Sequence, residues 1–192
     1  MRWEFRFTGL GGQGAITIGN VLGRAAVMYG SREAVVTEGY SPYVTGGWSR
    51  ADVVVSDDPI DYPLVSKLDV LLTMYQEGLD INLKMLKPNG AALGESQLVS
   101  FRAVTRKDVK LLGVPGISAA ETLGKKIVAN VVMLGAVPAL CDAVSLDSLK
   151  KSAADRFPRA VDLNMKALDR GFELGANALQ EVKGAEVRPL VH

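Results

Sequence analysis

Apolar positions along the chain fall into short dense runs separated by stretches with helical spacing. "WEFRFT" begins as an alternating strand, "EAVVTE", "ADVVVSD" and "DVLLTM" are compact apolar runs, and "AALGE", "FRAVT" and "VKLLGV" continue the series. "GAITIGNVLGRAAVMYG" carries Ile18, Leu22, Ala25 and Ala26 on one helical face and closes at Gly30, a glycine suited to a helix C-cap. Leu79, Leu83 and Leu86 recur at helical spacing ahead of a Pro-Asn-Gly turn. Ser118 and Glu121 match a capping box, and Leu123, Ile127, Val131 and Leu134 then form a stripe, predicting a helix from Ser118 onward. Two more helices are expected over about 147–156 and 159–179, separated at Phe157-Pro158. Strands alternating with helices predict an α/β fold of three layers, α/β/α, with a mostly parallel, possibly mixed, central sheet. Residues 1–192 read as a single domain, with 181–192 as a flexible tail.

Composition narrows the function. With 192 residues, 48% of them hydrophobic, the chain can bury one sizeable core. A formal net charge of +1, with both signs interspersed, lacks the field that a nucleic acid or an anionic membrane would require. No apolar run reaches bilayer-spanning length and the amino end has no signal-peptide centre, so a cytoplasmic location is expected, with no nucleic acid and no membrane as partners. Cys141 is the one cysteine and His192 the one histidine. Thiolate-held metal clusters and histidine-activated nucleophiles therefore have no residues to build on.

The turn "FTGLGGQGAITIGN" is where chemistry concentrates. Gly9, Gly11 and Gly14 satisfy G-x-G-x-x-G after a strand and before a helix, a Rossmann-like arrangement. Missing Cβ atoms let backbone amides approach an anion, and the helix start adds partial positive charge. Glu38 ends the next expected strand, where a ribose-binding acid would sit. Gly12 and Gln13 add a further glycine and a long amide at the tip. Gly46 and Gly47 form a second pair, flanked by Tyr40, Tyr43 and Trp48, and loops at the carboxyl ends of parallel strands should bring both glycine loops to one crevice. On these residues alone, a free-standing dinucleotide-binding oxidoreductase and a ligand-free packing turn both stand.

Single residues carry paired readings. Gln13 either contacts a ligand or partner or braces its own loop. Trp48 stacks on a base, meets another subunit or is buried beneath the loop. Asn130 and Asn164 read as buried amides bonded to neighbours, Cys141 as an inert core thiol, and Asp57, Asp58 and Asp61 as a solvated turn in preference to a metal site.

In order along the chain, "GLGGQGAITIGNVLGRAA", "YSPYVTGGWSRADVVVSDDPIDYP", "DVLLTM", "ETLGKKIVANVVMLGA" and "NMKALDRGFELG" resemble the gamma subunit of 2-oxoacid:ferredoxin oxidoreductases, most closely the 2-oxoglutarate type. The resemblance implies a subunit that carries no catalytic residue or metal of its own. The whole enzyme would convert a 2-oxoacid such as 2-oxoglutarate or pyruvate, coenzyme A and oxidised ferredoxin into acyl-CoA, carbon dioxide and reduced ferredoxin. Thiamine diphosphate, Mg and 4Fe-4S clusters are then expected on alpha and beta partner subunits and a ferredoxin-like delta subunit, with the gamma fold packed against alpha. The chain lacks the G-D-G…N-N diphosphate–magnesium motif, which agrees with that division. Gly9, Gly11, Gly12, Gln13, Gly14, Thr45, Gly46 and Gly47, in the two glycine loops, are the expected cofactor-binding residues, with CoA as co-substrate. Where the family reads Y-G-P-E-x-R-G-G, this chain has Ser41, Tyr43 and Thr45 in place of the glycine, glutamate and arginine. Threonine cannot replace a bidentate guanidinium.

Overall fold

The computed structural model describes residues 1–42 and 47–186. Six strands form one sheet: β1 (Arg2–Leu10), β2 (Glu33–Tyr40), β3 (Trp48–Ser56), β4 (Leu68–Thr73), β5 (Leu86–Glu95) and β6 (Lys110–Val114), in the order β2-β3-β1-β4-β5-β6. β1, β4, β5 and β6 pair parallel, whereas β3 runs antiparallel to both β1 and β2. The sheet is thus mixed because of one reversed strand.

Helices α1 (Ala15–Gly30), α3 (Gly116–Thr122), α4 (Ala129–Gly135), α5 (Leu146–Arg156) and α6 (Val161–Glu186) share one core with the sheet. Strand alternation sends Phe5, Phe7, Val53, Val55, Val70, Leu72 and Leu93 into that core. The opposite layer is thinner: α2 (Gln76–Asn82) and the segment 96–109 cover Leu68, Leu71, Leu86 and Ala92 through Leu79 and Val99. Beneath α2, Arg6 and Asp52 face each other across β1 and β3. The guanidinium donates two 2.7 Å bonds to the carboxylate and a third, 2.8 Å, to Asn82 Oδ1. Each charge keeps its partner and α2 is tied to the sheet by the same fork.

Several expectations need correction. "FRAVT" is not a strand; Phe101 and Val104 pack on the thin layer from a turn. The Pro-Asn-Gly turn lies within β5, where the register against β4 shifts between Leu68 and Val70. No capping box forms at Ser118. α3 begins two residues earlier, at Gly116, with Pro115 as N-cap, and the Ser118 hydroxyl accepts from Gln97 Nε2 at 2.7 Å. The N–H of Ile117 is instead bonded by the buried Glu95 carboxylate at 3.2 Å. The helix then stops at Gly124, whose φ of 90° is left-handed, so Ile127 falls on a 3-10 turn and is 81% exposed rather than part of a stripe. At the other end, α6 runs to Glu186, so the expected tail begins inside a helix, and residues 187–192 lie outside the described set. Among the described residues no helix is long and apolar enough to cross a membrane.

α6 reaches α4 so closely that backbone touches backbone. A Cβ on Gly171 would lie 1.9 Å from the Val132 carbonyl oxygen and 2.9 Å from the Gly135 Cα. Gly171→Ala is expected to cost about 3 kcal/mol in urea unfolding, because neither backbone can yield without moving a helix. A loss under roughly 1 kcal/mol would show that the two helices slide freely.

Candidate functional site

β1 ends at Leu10 and the chain turns into α1 over four residues. Gly12 (φ 88°) and Gly14 (φ 74°) both adopt left-handed backbone, which a side chain would strain. Gly14 is the N-cap of α1, so no side chain satisfies the first amides of this helix, and its first turn holds no acidic residue. Among the described residues no side chain caps those N–H groups, and they and the partial positive charge of a 16-residue helix suit an external acceptor.

Gln13 braces the turn. Its Oε1 accepts from the Leu10 amide at 2.7 Å and its Nε2 donates to the Met74 carbonyl at 3.0 Å. Both ends of the amide are thus engaged inside the chain, so Gln13 braces the turn, and each end keeps a further donor or acceptor position beside the cleft it lines. Gly9 serves the same packing, since a Cβ there would sit 3.0 Å from Gln13 Oε1. Asn130 behaves as expected of an amide bonded to a loop: Nδ2 donates to the Gly14 carbonyl at 3.4 Å, and a Cβ on Gly14 would lie only 2.2 Å away. Asn164 is buried and satisfied locally by the Ala160 carbonyl at 2.8 Å.

The two glycine loops do converge: β2 runs in the same direction as β1, with the reversed β3 between them, so both loops leave carboxyl ends at one edge of the sheet. β2 and β3 form an antiparallel hairpin whose connecting end lies beside the carboxyl end of β1, so the Gly11 amide donates to the Gly47 carbonyl at 2.8 Å. Between the loops lies a crevice of about 440 Å³, bordered by Gly11, Gly12 and Gly14, by the first turn of α1, and by Tyr40, Ser41 and Gly47. Across the Gly12–Gln13 ridge is a smaller cleft of about 210 Å³ formed with Met74, Ile117, Ile127 and Asn130. A Cβ on Gly12 would meet nothing within 4 Å, so the tip is bare. Thr45 and Gly46 lie outside the described residues.

Glu38 is not placed for a ribose. β3 intervenes between β1 and β2, which puts Glu38 two strand spacings, roughly 10 Å, from the glycine turn. Its carboxylate accepts from the Tyr40 hydroxyl at 2.5 Å and from Asn20 Nδ2 at 2.9 Å, and the Tyr40 bond foremost, then the Asn20 bond, lower its pKa. Sequence reading missed this Asn20–Glu38–Tyr40 set, because nothing in the spacing says that β2 lies over α1. Trp48 borders the crevice, but alternation assigns its side chain to the face of Arg50 and Asp52, where the Arg50 guanidinium lies 5.8 Å from the ring. It is 39% exposed and not buried beneath the loop. Asp57 pairs with Arg32 at 3.0 Å, and no group of metal-binding residues occurs among those described.

Residues 4–174 match the model of the pyruvate ferredoxin/flavodoxin oxidoreductase family, and the chain belongs to that family. It is 40% identical over 176 residues to the 2-oxoglutarate synthase subunit KorC of Methanocaldococcus jannaschii, covering 91% of this chain and 94% of that one. Its structure resembles the gamma subunit of a keto/oxoacid ferredoxin oxidoreductase from Geobacter sulfurreducens, with a TM-score of 0.83, 36% identity, and 93% and 98% of the two chains covered. The fold also occurs within a 2-oxoglutarate:ferredoxin oxidoreductase from Magnetococcus marinus solved with 2-oxoglutarate, coenzyme A and succinyl-CoA, at a TM-score of 0.82 and 23% identity, covering 31% of that longer chain.

Two outcomes test the local chemistry. Gln13→Ala should speed hydrogen exchange at the Leu10 amide by about fivefold, the consequence of losing a bond worth about 1 kcal/mol; an unchanged rate would mean that the side chain does not hold the turn. Burial, foremost, pushes the Cys141 thiol up to about 11. Roughly a thousandth of it is then thiolate at pH 8, so alkylation should be slow there and accelerate only as the pH climbs toward that value. Rapid labelling at pH 7 would contradict the burial.

Proposed function

We propose that this chain works as the gamma-type subunit of a multi-subunit 2-oxoacid:ferredoxin oxidoreductase of the 2-oxoglutarate type, and that its glycine crevice helps to seat coenzyme A. The family match over residues 4–174, with 40% identity to a 2-oxoglutarate synthase subunit, carries the first part. The uncapped start of α1 beneath a bare glycine tip carries the second. CoA carries its phosphates at the nucleotide end, and N–H groups at a helix start that no described side chain caps suit such oxygens.

The reaction takes a 2-oxoacid, CoA and oxidised ferredoxin to acyl-CoA, carbon dioxide and reduced ferredoxin. Thiamine diphosphate with Mg stabilises the carbanion left by decarboxylation, and 4Fe-4S clusters pass single electrons. A cluster needs several thiolates at one point and this chain has one cysteine, so on this reading the clusters fall to partner subunits; the missing G-D-G…N-N motif supports the same for thiamine diphosphate and Mg, with alpha, beta and a ferredoxin-like delta subunit as the proposed partners. The work left to this chain is positional. The α1 amides face the phosphates, Gly12 lets the backbone come close, and Gln13 keeps the turn in shape while the thiol end of CoA reaches the partner's active site. The isolated chain is accordingly inactive, and the complex is cytoplasmic.

The test uses the reconstituted complex. Gly12→Asn places a side chain at the tip while tolerating the left-handed backbone better than other substitutions do. The variant should assemble and melt like wild type yet show a KM for CoA raised by about tenfold, with the KM for the 2-oxoacid unchanged. Normal CoA kinetics in a correctly assembled variant would remove CoA from this crevice; failure of the wild-type chain to assemble with thiamine- and cluster-bearing subunits would remove the gamma assignment itself.

A further inference from the structure

Tyr40 is a 61% exposed aromatic ring on the crevice wall, and it is not left to move freely. Its hydroxyl donates to Glu38 Oε2, the other Glu38 oxygen accepts from Asn20 Nδ2 at 2.9 Å, and the same Nδ2 donates to the Ile16 carbonyl at 3.1 Å. Ile16 is in the first turn of α1, the turn whose amides border the crevice. A chain of three side chains therefore fixes an exposed ring relative to the helix start, which plain solvation of a surface tyrosine would not require. The ring lies on the α1 side of the sheet with Glu38, because residues two apart on a strand share a face.

We propose that Glu38 is a positioning residue that holds the Tyr40 ring as a stacking platform for the planar base of CoA, while the phosphates of the same molecule meet the first turn of α1. The assignment rests on the reading that the crevice receives CoA. An aromatic ring this exposed suits a nucleobase of any hydrogen-bonding pattern. The carboxylate does not touch the ligand: both its oxygens are occupied, and it acts through the hydroxyl of Tyr40. Its pKa, lowered by the Tyr40 and Asn20 bonds, keeps it an acceptor throughout the neutral range.

The experiment compares two thiols in the reconstituted complex: CoA, and 4′-phosphopantetheine, which has the reactive end but no base. Tyr40→Ala should raise the KM for CoA about tenfold, the usual effect of losing one stacked base, with kcat and the KM for phosphopantetheine unchanged. Tyr40→Phe and Glu38→Ala should each raise the CoA KM about threefold, and the double variant no further, because both cut the same bond. Tyr40 is exposed, so the melting temperature should not change. An unaltered CoA KM in Tyr40→Ala, or equal rises for both thiols, overturns the proposal. If Gly12→Asn still raises the CoA KM in the same assay, only the platform has failed; if it too is silent, the CoA reading falls with it.

Discussion

The reversal of β3 is the constraint from which the site follows. Because β3 runs against β1, its first residue, Trp48, pairs with the last residue of β1, Leu10, and Tyr40 pairs with Ser49 at the same level. The end of β1, the end of β2 and the start of β3 therefore meet at one edge of the sheet. A parallel β3 would carry its start to the opposite edge, about 30 Å away for a strand of this length. The Gly11–Gly47 contact would then be impossible, and the helix start would have no second wall.

The two faces of the sheet are stabilised differently. On the helical side, small residues let backbones meet, with Gly135 and Gly171 at the α4–α6 contact and Gly19 and Gly23 beneath α1, where added Cβ atoms would clash with Ala51 and Val36. Burial of apolar surface in this dense layer is the main favourable contribution. On the thin side the bidentate Arg6–Asp52 pair is nearly excluded from water. Such a pair adds little net stability once desolvation is counted, but it tolerates only one arrangement of α2, through Asn82. Packing thus holds the sheet together, and the buried charges fix what covers its back.

The local signals in the sequence were readable wherever one element decides its own conformation. β1, α1, β3, β4 and α5 lie close to where periodicity places them, and the glycine turn announced a helix start without a side-chain cap. What could not be read depends on distant partners. The α3 start is set by Glu95, 22 residues earlier, whose buried carboxylate offers a better acceptor than the local Ser118 box. Direction is also invisible: "ADVVVSD" has the same composition whichever way it runs, so the convergence of the two loops could be anticipated from the carboxyl ends of β1 and β2, but not the reversed strand that lies between them. The ribose reading of Glu38 failed for the same reason, since an inserted strand separates it from the turn. In the site itself the glycines were legible because each answers to its own backbone, whereas the Asn20–Glu38–Tyr40 contact joins elements whose adjacency only the fold defines.

The double hydrogen bond of Gln13 has a kinetic corollary. A turn already tied to Leu10 and Met74 spends no conformational freedom when a ligand arrives, so encounter need not wait for a loop to rearrange. Association should then be similar for every carrier small enough to enter, and discrimination between carriers would be expressed in how long each remains bound. On the proposed reading, a subunit with so rigid a cradle would set residence time and leave the pace of the chemistry to its neighbours.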